Sequence, residues 1–84
     1  MSQIEIDSLA QRKREASQRI VDADIRRMRC GMDPIPEEPR RFLHQAGYSI
    51  NRASLERGTA RMESVLEASR NLNALNEWLS EHAD

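Results

Sequence analysis

The sequence Cys-Gly-Met-Asp-Pro-Ile-Pro at residues 30 to 36 is the main break in this chain of 84 residues. Gly31 suits the position just past the end of a helix, and the prolines that follow it do not continue one. Residues 4 to 29, which precede the break, contain no Gly or Pro and are rich in Ala, Arg, Gln and Glu, all good helix formers. The sequence therefore predicts one long helix at about residues 4 to 29, followed by a turn.

After the break, a second helix is predicted at about residues 36 to 46. Pro36 is tolerated in the first turn of a helix, because the N–H group that it lacks would have no partner there. Gly47 is the expected end of this helix, with Tyr48 packing back on Leu43. On this interpretation the second helix is short.

The third predicted helix covers about residues 49 to 81 and carries the clearest periodic pattern in the chain. Apolar residues recur there at alternating spacings of three and four, which is typical of a packed helical seam. They are Val65, Ala68, Leu72, Leu75 and Leu79. Ser49 is the expected cap, and Gly58 leaves open whether the segment is one helix or two.

Trp78 lies off this seam, by about 100° at the angular step of an ideal helix. Either the third helix packs on two faces, or Trp78 is an exposed anchor for another chain, since Trp is enriched at binding hot spots. With so few aromatic residues in the chain, we favour packing on two faces.

The predicted fold class is all-α, a helical hairpin or small three-helix bundle with long first and last helices, in one domain of residues 1 to 84. Leu, Ile, Val and Phe make up only about a fifth of the residues, so the core of a single chain is expected to be modest. Oligomerisation is therefore predicted to complete the bundle, with the seam at Val65, Ala68, Leu72, Leu75 and Leu79 as the contact between copies.

Charge is sorted along the chain although the formal net charge is only −1. All of the basic residues except Arg70 lie between Arg12 and Arg61, whereas residues 62 to 84 are acidic. Such separation favours an oriented encounter with a charged partner. We expect a protein partner with an acidic surface to bind at the turn, through arginines that surround the apolar anchors Phe42 and Tyr48. The alternative is that these arginines form a solvated face whose ion pairs contribute little free energy. The residues are Arg26, Arg27, Arg29, Arg40, Arg41, Phe42 and Tyr48.

The function predicted from these features is that of a small non-catalytic protein-binding module, a bacterial or phage adaptor, inhibitor or chaperone that occupies a partner's surface. The alternative is a dimeric DNA-binding regulator that uses residues 40 to 57. There, Ala-Gly-Tyr-Ser at residues 46 to 49 is similar to the turn of a helix-turn-helix, although Phe42 and Glu56 depart from its small and apolar positions. Its DNA-contacting residues would be Arg40, Arg41, Ser49, Asn51, Arg52 and Arg57.

The sequence contains no motif that is typical of an enzyme, a metal-binding site or a cofactor-binding site. Cys30, His44 and His82 are the only strong nucleophile or imidazole candidates, and they lie far apart without a phosphate loop or paired ligands. We therefore predict no enzyme, no metal and no cofactor. No segment has the roughly 20 apolar residues of a membrane span, and no apolar N-terminal run is typical of a signal peptide. The predicted location is cytoplasmic, with no membrane partner.

Residues 30 to 41 resemble a stretch of small DksA/TraR-type RNA polymerase regulators. Cys-Gly-Met-Asp-Pro-Ile-Pro-Glu-Glu-Pro-Arg-Arg in this chain is similar to their Cys-Gly-x-Pro-Ile-Pro-Glu-x-Arg-Arg. The resemblance implies a zinc finger, but this chain has one extra residue before Pro34, inserts Pro39 before Arg40, and lacks the other zinc cysteines. The family's finger is therefore not expected to form here.

Overall fold

Three helices account for most of the chain in this computed structural model, which describes residues 3 to 82. They are α1 (Gln3–Arg29), α2 (Glu37–Leu55) and α3 (Gly58–His82), and the described residues contain no strand. The all-α prediction and the three-helix bundle are confirmed, while residues 1, 2, 83 and 84 of the predicted domain lie outside the described residues. The bundle is elongated, with extents of 48 × 19 × 18 Å. None of the described helices combines the length and apolar character that crossing a membrane requires.

The helix α1 ends at Arg29, and Gly31 lies just past its end in a Schellman motif, as predicted. The N–H of Gly31 donates to the carbonyl of Met28 at 3.1 Å, and the N–H of Met32 donates to the carbonyl of Arg27 at 2.8 Å. Gly31 has φ = 72°, a conformation that is strained for a residue with a Cβ atom. This turn redirects the chain so that α2 begins directly after Pro36, as predicted.

The helix α2 is longer than predicted, because it continues through Gly47 and ends at Leu55. Gly47 lies in the helix without the positive φ of a helix end, and Ser49, the predicted cap of the next helix, is buried in the middle of α2. The break falls instead at residues 56 and 57, where Gly58 has φ = 62°. The prediction of helices at residues 36 to 46 and 49 to 81 is therefore wrong in its bounds, and the break that the sequence left open at Gly58 exists.

The helices run up, down and up, so α1 and α3 are parallel. Arg12 donates a hydrogen bond to the side-chain oxygen of Asn73 at 2.7 Å, and seven residues further along α1, Arg19 donates to Asn76 at 3.2 Å. The first helix therefore lies beside the third helix, and these two contacts join arginine to amide groups.

The core is built from one buried face of each helix and from Ile35 in the turn. Contact between α2 and α3 is the most extensive of the three helix pairs. Small side chains on both helices allow this close approach, because helix separation depends on the side chains between the axes. The small buried residues are Ala46, Ser49 and Ala53 on α2 and Ser64 and Ala68 on α3.

The residues of the predicted oligomer seam all belong to the core of a single chain. Val65, Ala68, Leu72, Leu75 and Leu79 are buried against α1 and α2. Within one chain these residues are therefore core residues, and their contact with a second copy stays a prediction, because the periodicity that indicates a helical seam is the same whether the partner helix belongs to the same chain or to another.

Trp78 is partly buried and packs against the core, and its ring stacks on that of His82 with centroids 4.6 Å apart. Trp78 therefore widens the buried face of α3 at this end and is not a fully exposed side chain. Leu66, on the other side of the buried stripe, is 45% exposed.

Candidate protein-binding surface

At the turn end of the bundle, the side chain of Arg40 is committed to contacts within the chain. Its guanidinium donates to the Asp24 carboxylate at 2.5 Å and to the carbonyl of Ile35 at 3.0 Å. The second oxygen of Asp24 accepts the N–H of Ile35 at 2.8 Å. These bonds join the end of α1, the turn and the start of α2, so Arg40 contributes to the fold at this point.

Asp24 is ionised more readily than an ordinary aspartate. Its burial raises the pKa of its carboxyl group, but the hydrogen bonds from Arg40 and Ile35 and the positive charges of Arg40 and Arg27 outweigh this effect. The pKa of Asp24 therefore lies below its ordinary value of 3.8. The carboxylate thus stabilises the turn in its charged form.

The other residues of the predicted contact surface separate into covered and exposed groups. Phe42 is partly buried against the core, and the Nε and Nη1 atoms of Arg27 are buried without a hydrogen-bond partner among the described residues. By contrast, Arg26, Arg29 and Arg41 are exposed. Phe42, Arg27 and Arg40 therefore belong partly to the fold itself, and their contact with a partner stays a prediction.

Tyr48, the second predicted anchor, does not lie at the turn. It is seven residues beyond Arg41 in a continuous helix, about 10 Å further along the axis. Its side chain is 71% exposed and belongs to an outward face of α2, which we call the α2 face. The α2 face comprises the exposed residues Arg41, His44, Tyr48, Asn51 and Leu55.

Leu55 is the most exposed large apolar residue of the described chain, at 86%. It lines a cavity of about 510 Å³ together with Tyr48 and Arg52 from α2 and Glu67 from α3. Arg52 and Glu67 form an ion pair at 2.5 Å that joins the two helices on this side. The sequence prediction did not identify Leu55 as part of this surface. It ended the second helix at Gly47, so Tyr48 and Leu55 were not placed on one continuous helix.

Along the edge of the α2 face that lies toward α1, the helices α1 and α2 enclose a cleft that we call the α1–α2 cleft. Its two adjoining cavities, of about 210 and 190 Å³, share Lys13, Gly47 and Asn51 as lining residues. A Cβ atom at Gly47 would lie 2.9 Å from Cε of Lys13, so the absence of a side chain lets the lysine cross the helix at this point. Arg14 and His44 complete the charged and polar lining.

The predicted helix-turn-helix is absent, because residues 42 to 55 lie within one continuous helix. Ser49, a predicted base contact, is fully buried. Arg40 and Arg52, two predicted DNA contacts, are paired with Asp24 and Glu67. Arg41, Asn51 and Arg57 are exposed, but no short recognition helix presents them together.

Within residues 3 to 82, no group of three or more His, Cys, Asp or Glu side chains is placed to hold a metal ion. Cys30 is exposed in the turn, and His44 and His82 lie on different helices. Comparison with known proteins finds no matching family, no matching curated protein and no matching solved structure.

Proposed function

We propose that this chain is a small non-catalytic protein-binding module that occupies the surface of a partner protein, as an adaptor, inhibitor or chaperone does. The observation that carries the proposal is the exposure of Tyr48 and Leu55 on one face of α2. Neither side chain belongs to the core, and both line the same cavity. Large apolar side chains that are exposed on one face of a helix are typical of contact surfaces between proteins.

The geometry of α2 supports this function better than DNA binding. A helix that reads bases must project from the bundle into the major groove, and its arginines must be available to phosphates. Here α2 has the most extensive packing with a neighbouring helix, and Arg52 is already bound to Glu67. The α2 face instead offers two large apolar side chains, Tyr48 and Leu55, with polar residues beside them.

Self-association is part of the proposal, but through a different surface from the buried seam. Val21, Ile25 and Met28 are exposed on α1 at spacings of four and three, and together form an apolar stripe on the outside of the bundle. We call these three residues the α1 stripe. The proposed setting is the cytoplasm of a bacterium or of a phage-infected cell, where Cys30, a single exposed thiol, would stay reduced.

Site-specific photo-crosslinking tests the proposal in cells that express the chain naturally. A photoreactive amino acid is placed at position 48 or 55, and a control carries it at Arg70, an exposed position on α3. We expect a discrete protein to be captured from positions 48 and 55 and not from 70. Capture of nucleic acid from position 48, or equal protein yields at all three positions, would contradict the proposal.

A pair of leucine variants separates binding from folding. Leu55→Ala removes the exposed anchor, and Leu66→Ala removes a leucine that is also exposed but lies on α3. Both variants should keep the unfolding free energy within about 0.5 kcal/mol, as surface substitutions usually do. Only Leu55→Ala should reduce capture of the partner, because only it alters the α2 face.

A further inference from the structure

The α1–α2 cleft has a charge that no group in its own lining neutralises. Its charged lining residues are Lys13 and Arg14, and no carboxylate lines either of its cavities. The stretch of α2 from residue 39 to residue 55, which forms the other wall, contains no Asp or Glu. An anionic group that enters the cleft therefore meets cations without competition from a carboxylate in the wall.

Lys13 is held in a position suited to meet such a group. Its side chain is only partly exposed, and its last carbons lie over the backbone of Gly47. Among the described residues, no carboxylate forms an ion pair with its ammonium group. Because the stem already rests on the helix, less rotamer entropy is lost when the ammonium group binds a ligand.

The surroundings of the cleft favour a protein ligand over a nucleic acid. Tyr48 lines both the cleft and the cavity that contains Leu55, so the basic and apolar sites are continuous. Glu67 borders the apolar site and is paired with Arg52, so this site offers no unpaired cation to continue a row of phosphates along α2. A peptide needs no such cation, because it can place an acidic side chain at one site and an apolar side chain at the other.

On this basis, and resting on the proposed function, we propose that the α2 face and the adjoining α1–α2 cleft together bind an acidic, amphipathic segment of the partner protein. A carboxylate of that segment pairs with Lys13 over Gly47, and an apolar side chain packs beside Tyr48 and Leu55. The eight residues from Gly47 to Leu55 correspond to about 12 Å along α2. A ligand therefore needs its acidic and apolar side chains about eight residues apart in a helix, or about four apart in an extended strand.

Selection from a random peptide library, with the full chain as bait, tests the proposal and does not require the partner to be identified. Peptides that bind the wild-type chain are sequenced, and the dissociation constant of the best one is measured for variants. We expect enrichment of Asp or Glu with an apolar residue at the stated separation. Lys13→Glu should weaken binding about tenfold or more, Lys13→Arg should largely retain it, and Arg70→Glu on α3 should leave it unchanged.

A second variant controls for effects on folding. In Gly47→Ala the new alanine is compatible with the helix, but its Cβ displaces the end of Lys13. The variant should therefore bind the peptide several-fold more weakly, while its circular dichroism spectrum remains that of a helical protein. The acidic-ligand inference would be overturned if the selected peptides lacked acidic residues, or if Lys13→Glu left their affinity unchanged. The proposed function would still hold in that case if Leu55→Ala lowered their affinity. Peptides indifferent to both Lys13 and Leu55 would overturn both proposals. Lys13-dependent binding of a DNA duplex, with no selected peptide, would overturn both in favour of nucleic acid.

Discussion

Asp24 near the end of α1 and Arg40 in the first turn of α2 are hydrogen-bonded across the turn, with 2.5 Å between the carboxylate and guanidinium atoms. Ile35 completes the arrangement, because its N–H donates to Asp24 and its carbonyl accepts from Arg40. The side chain of Ile35 is 2% exposed and belongs to the core. The Asp24–Arg40 ion pair therefore holds Ile35, which lies in the turn between α1 and α2, in its position in the core.

The first prediction is that Asp24→Ala destabilises the fold. It leaves the Ile35 N–H and the Arg40 guanidinium without their acceptor, and a buried donor without a partner typically costs about 1–3 kcal/mol. We expect a decrease of that size in the unfolding free energy measured with urea. The matched control is Asp22→Ala on the same helix. The Asp22 carboxylate is exposed and accepts a hydrogen bond from Gln18, so this variant should change the free energy by less than about 0.5 kcal/mol. Equal effects of the two variants would contradict this role for Asp24.

The second prediction concerns the pH dependence of that contribution. Since the pKa of Asp24 is lowered on folding from the ordinary value of 3.8, its stabilising effect is fully present above that value. The effect is lost as the pH falls through the folded pKa, because the carboxyl group must then be protonated in the native state. The difference in unfolding free energy between the wild type and Asp24→Ala should therefore be constant from about pH 5 to 7 and shrink below about pH 4. A difference that grew as the pH fell would show that the sign is wrong.

The third prediction distinguishes two neighbouring arginines that look equivalent in the sequence. Arg40→Glu places a carboxylate beside Asp24 and removes the bond to the Ile35 carbonyl, so it should lower the unfolding free energy by about 1–3 kcal/mol or more. Arg41→Glu acts on an exposed side chain and should stay within about 0.5 kcal/mol. Thermal unfolding followed by circular dichroism measures both. Loss of stability in Arg41→Glu comparable with that in Arg40→Glu would contradict the assignment of Arg40 alone to the turn.

The end of α1 and the start of α2 were predictable because their signals are local. Gly31 and Pro36 act through their own backbone, which neighbouring residues determine. Gly47 was misinterpreted because a glycine has two uses, at a helix end or at a close approach, and here Lys13 makes the approach from 34 residues away. Nothing near Gly47 in the sequence distinguishes these uses, so the choice depended on tertiary contact.

The candidate site was predictable in its residue types but not in its position. Tyr48, Asn51 and Arg41 were recognised as surface residues, yet their common face with Leu55 follows only from a continuous helix. Arg40 was assigned to a partner because the sequence does not show that Asp24, 16 residues earlier, lies within hydrogen-bond distance. Charge along a sequence indicates attraction to carboxylates, but whether these belong to the same chain depends on the fold.

The fourth prediction is that Gly47→Ala stabilises the chain. A glycine inside a helix is less favourable than alanine by about 1 kcal/mol, and Gly47 has no positive φ that would require glycine. The three atoms nearest to the added Cβ all belong to the flexible end of Lys13, which can move toward solvent. We therefore expect the unfolding free energy to rise by roughly 0.5–1 kcal/mol. Gly31→Ala is the control and should instead destabilise, because Gly31 has φ = 72°. A fall in stability for Gly47→Ala would show that Lys13 is held there by more than packing.

The fifth prediction is that self-association uses the α1 stripe and not the seam of α3. Ile25, at the centre of the stripe, is 43% exposed, whereas Leu72 is completely buried. Ile25→Asp should therefore lower the sedimentation coefficient at micromolar concentration to that of a monomer and keep the helical circular dichroism, since an exposed position tolerates charge in the isolated chain. Leu66→Asp, on an outward face of α3, is the matched control and should leave the assembly unchanged.

Leu72→Ala provides the opposite case, because it removes core volume and should lower the unfolding free energy by about 2–5 kcal/mol. For a chain of this size such a loss is a large fraction of the total stability. Its helicity should fall to the same extent at low and high protein concentration if Leu72 packs only within its own chain. A wild-type chain that sediments as a monomer would exclude self-association. Assemblies that dissociate with Leu72→Ala but not with Ile25→Asp would instead mean that α3 exchanges its seam between copies.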